Sequence, residues 1–291
     1  MKLLGVRKML VGAGALAALA APVAVTASSP AVAASSNTFK VTATEYTYKF
    51  SGTPTPGNVE IAFNNAGVEL HMTVFFQLKP GVTAKQLETA ITSDDQTAFP
   101  KIAVGDGQPV NSTPAVLSPK QSTTTIASFK AGHYGVVCFV PASDGKPHVM
   151  KGMSKVFDVS GSKSTLKPPT DGVVNVSISD TAITLPSSGL PKSGWVKVTN
   201  TASTNRDFTL AKLATGVTFD QADADFNTFF QTGSFPGGTA PATIPSGLSG
   251  LAPGTSGYVL VTTSSGNWAA LSSNNESQDN SGQIHTEFTV K

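Results

Sequence analysis

The sequence predicts an all-β protein, two Greek-key β-sandwich domains in tandem behind an export leader. Three observations carry that expectation. Short runs of alternating apolar and polar residues, rich in Val, Ile, Thr and Phe, are separated by Gly, Pro and Asn turns, as in half-buried strands. Only 13% of the 291 residues are charged, while Ser, Thr and Gly abound, which suits an extracellular β protein. Finally, the second half repeats the first at an offset of about 135 residues.

Taken in order, residues 1–34 read as a signal peptide. Met1 and Lys2 open a basic segment containing Arg7 and Lys8, an Ala/Leu/Val/Gly run follows from Met9 to about Val25, and Ala31-Val32-Ala33-Ala34 supplies an Ala-x-Ala cleavage site. A membrane span needs about 18 or more uninterrupted apolar residues, and Pro22 and Thr26 break this run. The expected destination is secreted, extracellular or periplasmic, with no stable membrane anchor. Loss of the leader removes three basic residues and no acid, so the formal net charge moves from +2 to about −1. A nearly neutral surface without Lys/Arg clusters argues against nucleic acid as a partner.

The first domain is expected over residues 37–160 and the second over 173–291, joined by a Gly/Ser/Pro-rich linker at 161–172. The repeat aligns Leu78 and Gly81-Val82-Thr83 with Leu213 and Gly216-Val217-Thr218, and Ile61, Phe63 and Asn65 with Val196, Val198 and Asn200. Strands are expected around Phe39–Thr44, Val59–Phe63, Thr73–Gln77 and Thr125–Phe129. One short helix per half should follow Gly81 and Gly216, because Thr83-x-x-Gln86 and Thr218-x-x-Gln221 read as capping boxes.

The stretch that carries chemistry is Gly132-His133-Tyr134-Gly135-Val136-Val137-Cys138, continued through a loop to His148 and Met153. Cys138 is the only cysteine, so it has no intramolecular disulfide partner. A soft thiolate, an imidazole and a thioether from one loop are three of the four ligands of a mononuclear copper site. His71, which opens another apolar β-branched run, is the candidate for the fourth. The bland alternative makes Cys138 a buried small hydrophobe.

These residues resemble the cupredoxin, or blue copper, family. The turn Asn64-Asn65-Ala66-Gly67 before His71, the motif Gly132-x-Tyr134-x-x-x-Cys138 and the ending His148-x-x-x-x-Met153 all fit it, over roughly residues 38–160. Nine residues separate Cys138 from His148, more than in plastocyanin-like members and similar to the electron-accepting domain of copper nitrite reductases. The resemblance implies one type-1-like copper in the N-terminal domain, held by His71, Cys138 and His148 in a plane with Met153 as a weak axial ligand. It also implies one-electron transfer to a redox partner protein, or copper handling. The edge of His148, among Pro147, Val149 and Met150, would be the electron port, screened by the Asp144-Gly145-Lys146 insert.

At the corresponding positions the second half has Arg206 for His71 and Ser272 for Cys138, so that half is expected to be degenerate and metal-free. With four histidines and no His-x-His pair, a trinuclear copper centre cannot be assembled, and no nucleophile-elbow context supports a hydrolase. The chain is therefore expected not to be an enzyme. His133, an odd number of residues from Cys138, and His285 are expected to face solvent. The rival reading is a metal-free extracellular β-sandwich module for binding or structure.

Overall fold

The computed structural model describes residues 37–274 and 283–291; the leader expected at 1–34 lies outside them. The first half runs β1 (Thr38–Thr44), β2 (Thr47–Ser51), β3 (Gly57–Asn65), β4 (Val74–Leu78), α1 (Ala84–Thr92), α2 (Ala98–Ile102), β5 (Thr113–Pro114), β6 (Ser122–Phe129), β7 (Gly132–Val137) and β8 (Ser154–Val159). The second half runs β9 (Val174–Ile178), β10 (Ile183–Thr184), β11 (Ser193–Asn200), β12 (Arg206–Leu213), α3 (Phe219–Thr232), β13 (Ala242–Leu251), β14 (Ser256–Thr262), β15 (Gly266–Ser272) and β16 (Ile284–Val290). The fold is all-β, as expected. In each half the first strand pairs in parallel with the third, β1 with β3 and β9 with β11, and the remaining ladders are antiparallel.

Alternation along the strands builds the cores. Phe39, Val41 and Ala43 of β1 and Val59, Ile61 and Phe63 of β3 point into the first sandwich, where they meet Phe75, Phe129 and Tyr134. Strand β7 is buried on both faces, which explains the continuous apolar run Val136–Val140. Tyr134, Val136 and Cys138 join the sandwich core, whereas Val137 packs with Leu87 of α1 and Phe99 of α2 on the other side. Helix α1 begins with the expected capping box: Gln86 N donates to Thr83 Oγ1 (3.2 Å), and Thr83 N donates to Gln86 Oε1 (2.8 Å). At α3 only half of the box forms, because the Gln221 amide donates instead to Asp225 one turn on, at 2.7 Å. Helix α2 was not expected; Pro100 is tolerated there because it sits in the first turn, where no intrahelical donor is lost.

The repeat survives at the level of individual hydrogen bonds. The Asn65 amide donates to the carbonyls of Glu69 and Leu117 and accepts from Gly67 N. Asn200 does the same with Thr204, Leu251 and Ala202. His71 is bridged to Leu117, and Arg206 to Leu251. Both halves are thus built on one hydrogen-bonding plan.

The halves are not separate beads. β14 pairs with β6, so one sheet of eight strands crosses the molecule in the order β10-β9-β11-β14-β6-β3-β1-β2. β5 of the first half pairs with β13 at the edge of the second half's other sheet. Phe229 of α3 is buried in the first core. Residues 161–172 carry neither helix nor strand, and Ser164 N and Leu166 O bond back to Pro56 O and Asn58 of the first half.

Candidate metal centre

Three backbone devices bring the distant residues together. The Asn65 hub ties the turn after β3 to Leu117, and Leu117 bonds His71 on both sides, accepting from His71 N (3.2 Å) and donating to His71 O (2.8 Å). Cys138 leaves the end of β7 with its N–H on Met153 O (3.3 Å) and its carbonyl accepting from Val149 N (2.9 Å). The intervening loop folds back as a tight hairpin, with Pro141 bridged to Pro147 and Ala142 N on Lys146 O. Its return places His148 N on Val140 O (2.9 Å) and starts a 3-10 turn over His148–Lys151. The nine-residue gap is therefore a closed excursion that brings His148 back beside Cys138.

The result is a buried triangle. His71 Nδ1 lies 3.1 Å from His148 Nδ1, and Cys138 Sγ lies 3.4 Å from His148 Nδ1 and 4.0 Å from His71 Nδ1. All three side chains are fully buried. Atoms bound to one ion at roughly 2.0–2.3 Å sit about 3–4 Å from each other, so this spacing fits a single ion. Two imidazole nitrogens and a thiolate suit copper. Among the described residues this is the one cluster of three or more His, Cys, Asp or Glu side chains with metal-site spacing. Met153 is fully buried in the same core as Cys138. Met150 is 54% exposed, and Met72 packs between the two apolar clusters of the first half.

Two expectations need correction. His148 is not an exposed electron port: its Nε2 edge meets Glu69 Oε2 at 2.9 Å, and the Tyr46 ring packs edge-on against it with centroids 5.1 Å apart. The turn between β1 and β2, where Tyr46 takes φ 62°, folds over that edge. His133 is not a free solvent-facing residue either. It does point away from the cluster, but its ring is pinned between Asp158 (2.6 Å) and the Val82 carbonyl (2.7 Å). Alternation gives the face of a strand and says nothing of a loop that folds over it. His285 is exposed and stacks on Phe219.

Sequence reasoning missed Glu45 and Glu69. Glu45 Oε1 lies 3.6 Å from His71 Nε2 and accepts from the Val68 and Glu69 N–H groups. The only signal was an acid two residues before His71; nothing in the sequence ties Glu45 to it. Gly67 completes this corner. A Cβ there would fall 2.4 Å from Glu45 Oε1 and 2.7 Å from His71 Nε2. Gly67→Ala is expected to push His71 off its position, lowering copper affinity while leaving far-ultraviolet circular dichroism unchanged; equal affinities in a chelator competition would contradict this.

The electrostatics suit a metal-accepting thiol. Burial pushes the Cys138 thiol up, but hydrogen bonds from His148 and His71, with their charges, outweigh it and bring it down to about 6. Burial pulls His148 down, yet Cys138 and Glu69 overcome this and raise it to about 9. An ion must displace whatever proton each ligand holds. Between about 6 and 9, therefore, His148 has a proton to lose and Cys138 does not. Copper affinity is expected to rise with pH until it flattens above about 9, and to fall more steeply below about 6, where Cys138 regains its proton. Chelator competition across this range reads both limits.

In the second half, Arg206 is buried at the place of His71, with its guanidinium 3.2 Å from the Asp180 carbonyl oxygen and 3.9 Å from its carboxylate. Ser272 is buried at the place of Cys138. A fixed cation thus stands where the first half places His71 of its His-Cys-His cluster.

A β-sandwich with a buried His-Cys-His cluster is the arrangement that the resemblance to cupredoxins implied. No family model and no curated protein matches the chain. Among solved structures it is similar to the dithionite-reduced auracyanin of the photosynthetic bacterium Roseiflexus castenholzii, at 24% identity over 44% of this chain and 99% of that one, TM-score 0.31. It is similar to auracyanin B at 20% identity over 46% and 96% of the two chains, TM-score 0.27. A multicopper oxidase aligns at 14% identity over 87% of this chain and 88% of its own, TM-score 0.23. Among the described residues, no helix is long and apolar enough to cross a membrane.

Proposed function

We propose that this is an exported copper protein that carries single electrons, with one ion in domain 37–160 and a degenerate, metal-free domain at 173–291. His71, Cys138 and His148 would hold the ion, with Met153 as a fourth ligand. The observation that carries the reading is the buried triangle of two Nδ1 atoms and one Sγ. When bound, copper supplies a one-electron couple. The chain's part is to keep the geometry unchanged between the two charge states. His71 is locked by two backbone bonds, His148 by the hairpin, and Cys138 by bonds on both its N–H and its carbonyl. Full burial of all three excludes water from the thiolate. The leader would export the chain, and a soluble redox protein would be its partner.

The test is titration of the purified protein with Cu(II). One equivalent per chain is expected, with intense visible absorption from a copper–thiolate bond that bleaches on reduction and returns on reoxidation. A protein that stays colourless in Cu(II) yet takes up Cu(I) tightly would instead be a copper carrier. A chain that takes up neither would be a metal-free β-sandwich module.

A further inference from the structure

Each ligand histidine turns its Nδ1 to the cluster and its Nε2 to a carboxylate, a pairing that nothing in the sequence pattern announced. His148 Nε2 lies 2.9 Å from Glu69 Oε2, and His71 Nε2 lies 3.6 Å from Glu45 Oε1. We infer that Glu69 and Glu45 are outer carboxylates that set negative charge behind the two imidazoles and bias the bound copper toward its oxidised state. This rests on the copper reading above and deepens it.

The carboxylates are built in. Glu69 shares its turn with His71, and its own carbonyl is held by the Asn65 amide at 2.8 Å. Glu45 comes from the β1–β2 turn, and its carboxylate is fastened by the Val68 and Glu69 N–H groups. The repeat supplies an internal comparison. Asp180 stands at the position of Glu45, accepts from Ser203 N (3.0 Å) as Glu45 does from Val68, and faces Arg206 where Glu45 faces His71. The acid at this position faces a basic side chain in both halves. Glu69 has no such counterpart: its equivalent is Thr204. An acid against the second histidine belongs to the ligand-bearing half alone.

The physical consequence follows from charge. A carboxylate behind a metal-bound imidazole keeps the proton on Nε2, leaves the Nδ1 lone pair for the ion and makes the ring a stronger donor. Negative charge outside the ligand sphere favours Cu(II) over Cu(I), so each carboxylate lowers the reduction potential. Removing such a partner typically changes metal affinity 10–100-fold. If that change falls on Cu(II) and spares Cu(I), it equals a shift of about 60–120 mV for one electron.

Glu69→Gln keeps the side chain's size and removes its charge. The experiment is a mediator titration of copper-loaded protein, in which one electron from the dye reduces Cu(II) to Cu(I) and no covalent bond within the protein breaks. The midpoint of Glu69→Gln is expected to rise by about 60–120 mV. Glu45→Gln should rise by less, because its carboxylate is farther from the ring. Glu287→Gln, an exposed strand residue of the second half, should not move it and controls for net charge. A Glu69→Gln midpoint that stays put, falls or merely matches that of Glu287→Gln overturns the inference while the coloured wild type leaves the copper reading standing. A wild type that takes up no copper overturns both.

Discussion

Cys138→Ser abolishes the copper-dependent colour and lowers copper affinity by more than the roughly 10–100-fold expected for loss of an outer partner. The substitution exchanges a soft sulfur for a hard hydroxyl that resists deprotonation, while the side chain stays nearly the same size. In the metal-free protein the shorter C–O bond draws the hydroxyl back from His148 Nδ1, which lies 3.4 Å from the sulfur, but every backbone bond around residue 138 is kept. Thermal stability without metal should fall modestly, since the thiolate's interaction with His148 is lost while the backbone framework stays. The measurement is paired: copper titration by absorbance, and thermal melting of the metal-free proteins. A coloured Cys138→Ser complex would remove the thiolate from the centre.

Asn65→Ala and Asn200→Ala should each destabilise the fold by about 3 kcal/mol, yet only the first should disturb copper. Each amide makes three bonds in a buried hub, and each bond contributes about 1 kcal/mol, with a further penalty for partners left unpaired away from water. Asn65 also sets the turn that aims His71 and Glu69, whereas Asn200 sets the equivalent turn before Arg206. Denaturant unfolding reads the first effect and chelator competition the second. Equal losses of copper affinity in the two variants would mean that the hub acts only through global stability.

Much of this was legible in the residues. Alternating strands, the repeat and the Cys138-His148-Met153 ending pointed to the sandwich and to one end of it, because each is a local pattern with a fixed physical period. His71 was legible because it opens an apolar β-branched run and because the Asn64-Asn65-Ala66-Gly67 turn before it fits the cupredoxin pattern. The Glu45 and Tyr46 contacts were not legible. They come from a turn packed across the sandwich, and no spacing along the chain records the meeting of Glu45 with His71, 26 residues on, or of Tyr46 with His148, 102 residues on. The same reason hid the pairing of β6 with β14. Both strands alternate like any half-buried strand, and alternation names a face without naming a neighbour. His133 shows the limit from the other side: its face was read correctly, and its enclosure by Asp158 and Val82 came from packing alone.

The seam through β6 and β14 makes the barren half more than a passenger. A chain ending near residue 160 would present the flank of β6 as a bare row of amide and carbonyl groups, ready to stick to any neighbouring copy. It would also leave part of its own interior without the cover that Phe229 provides. The half without the His-Cys-His cluster thus shields the half that carries it.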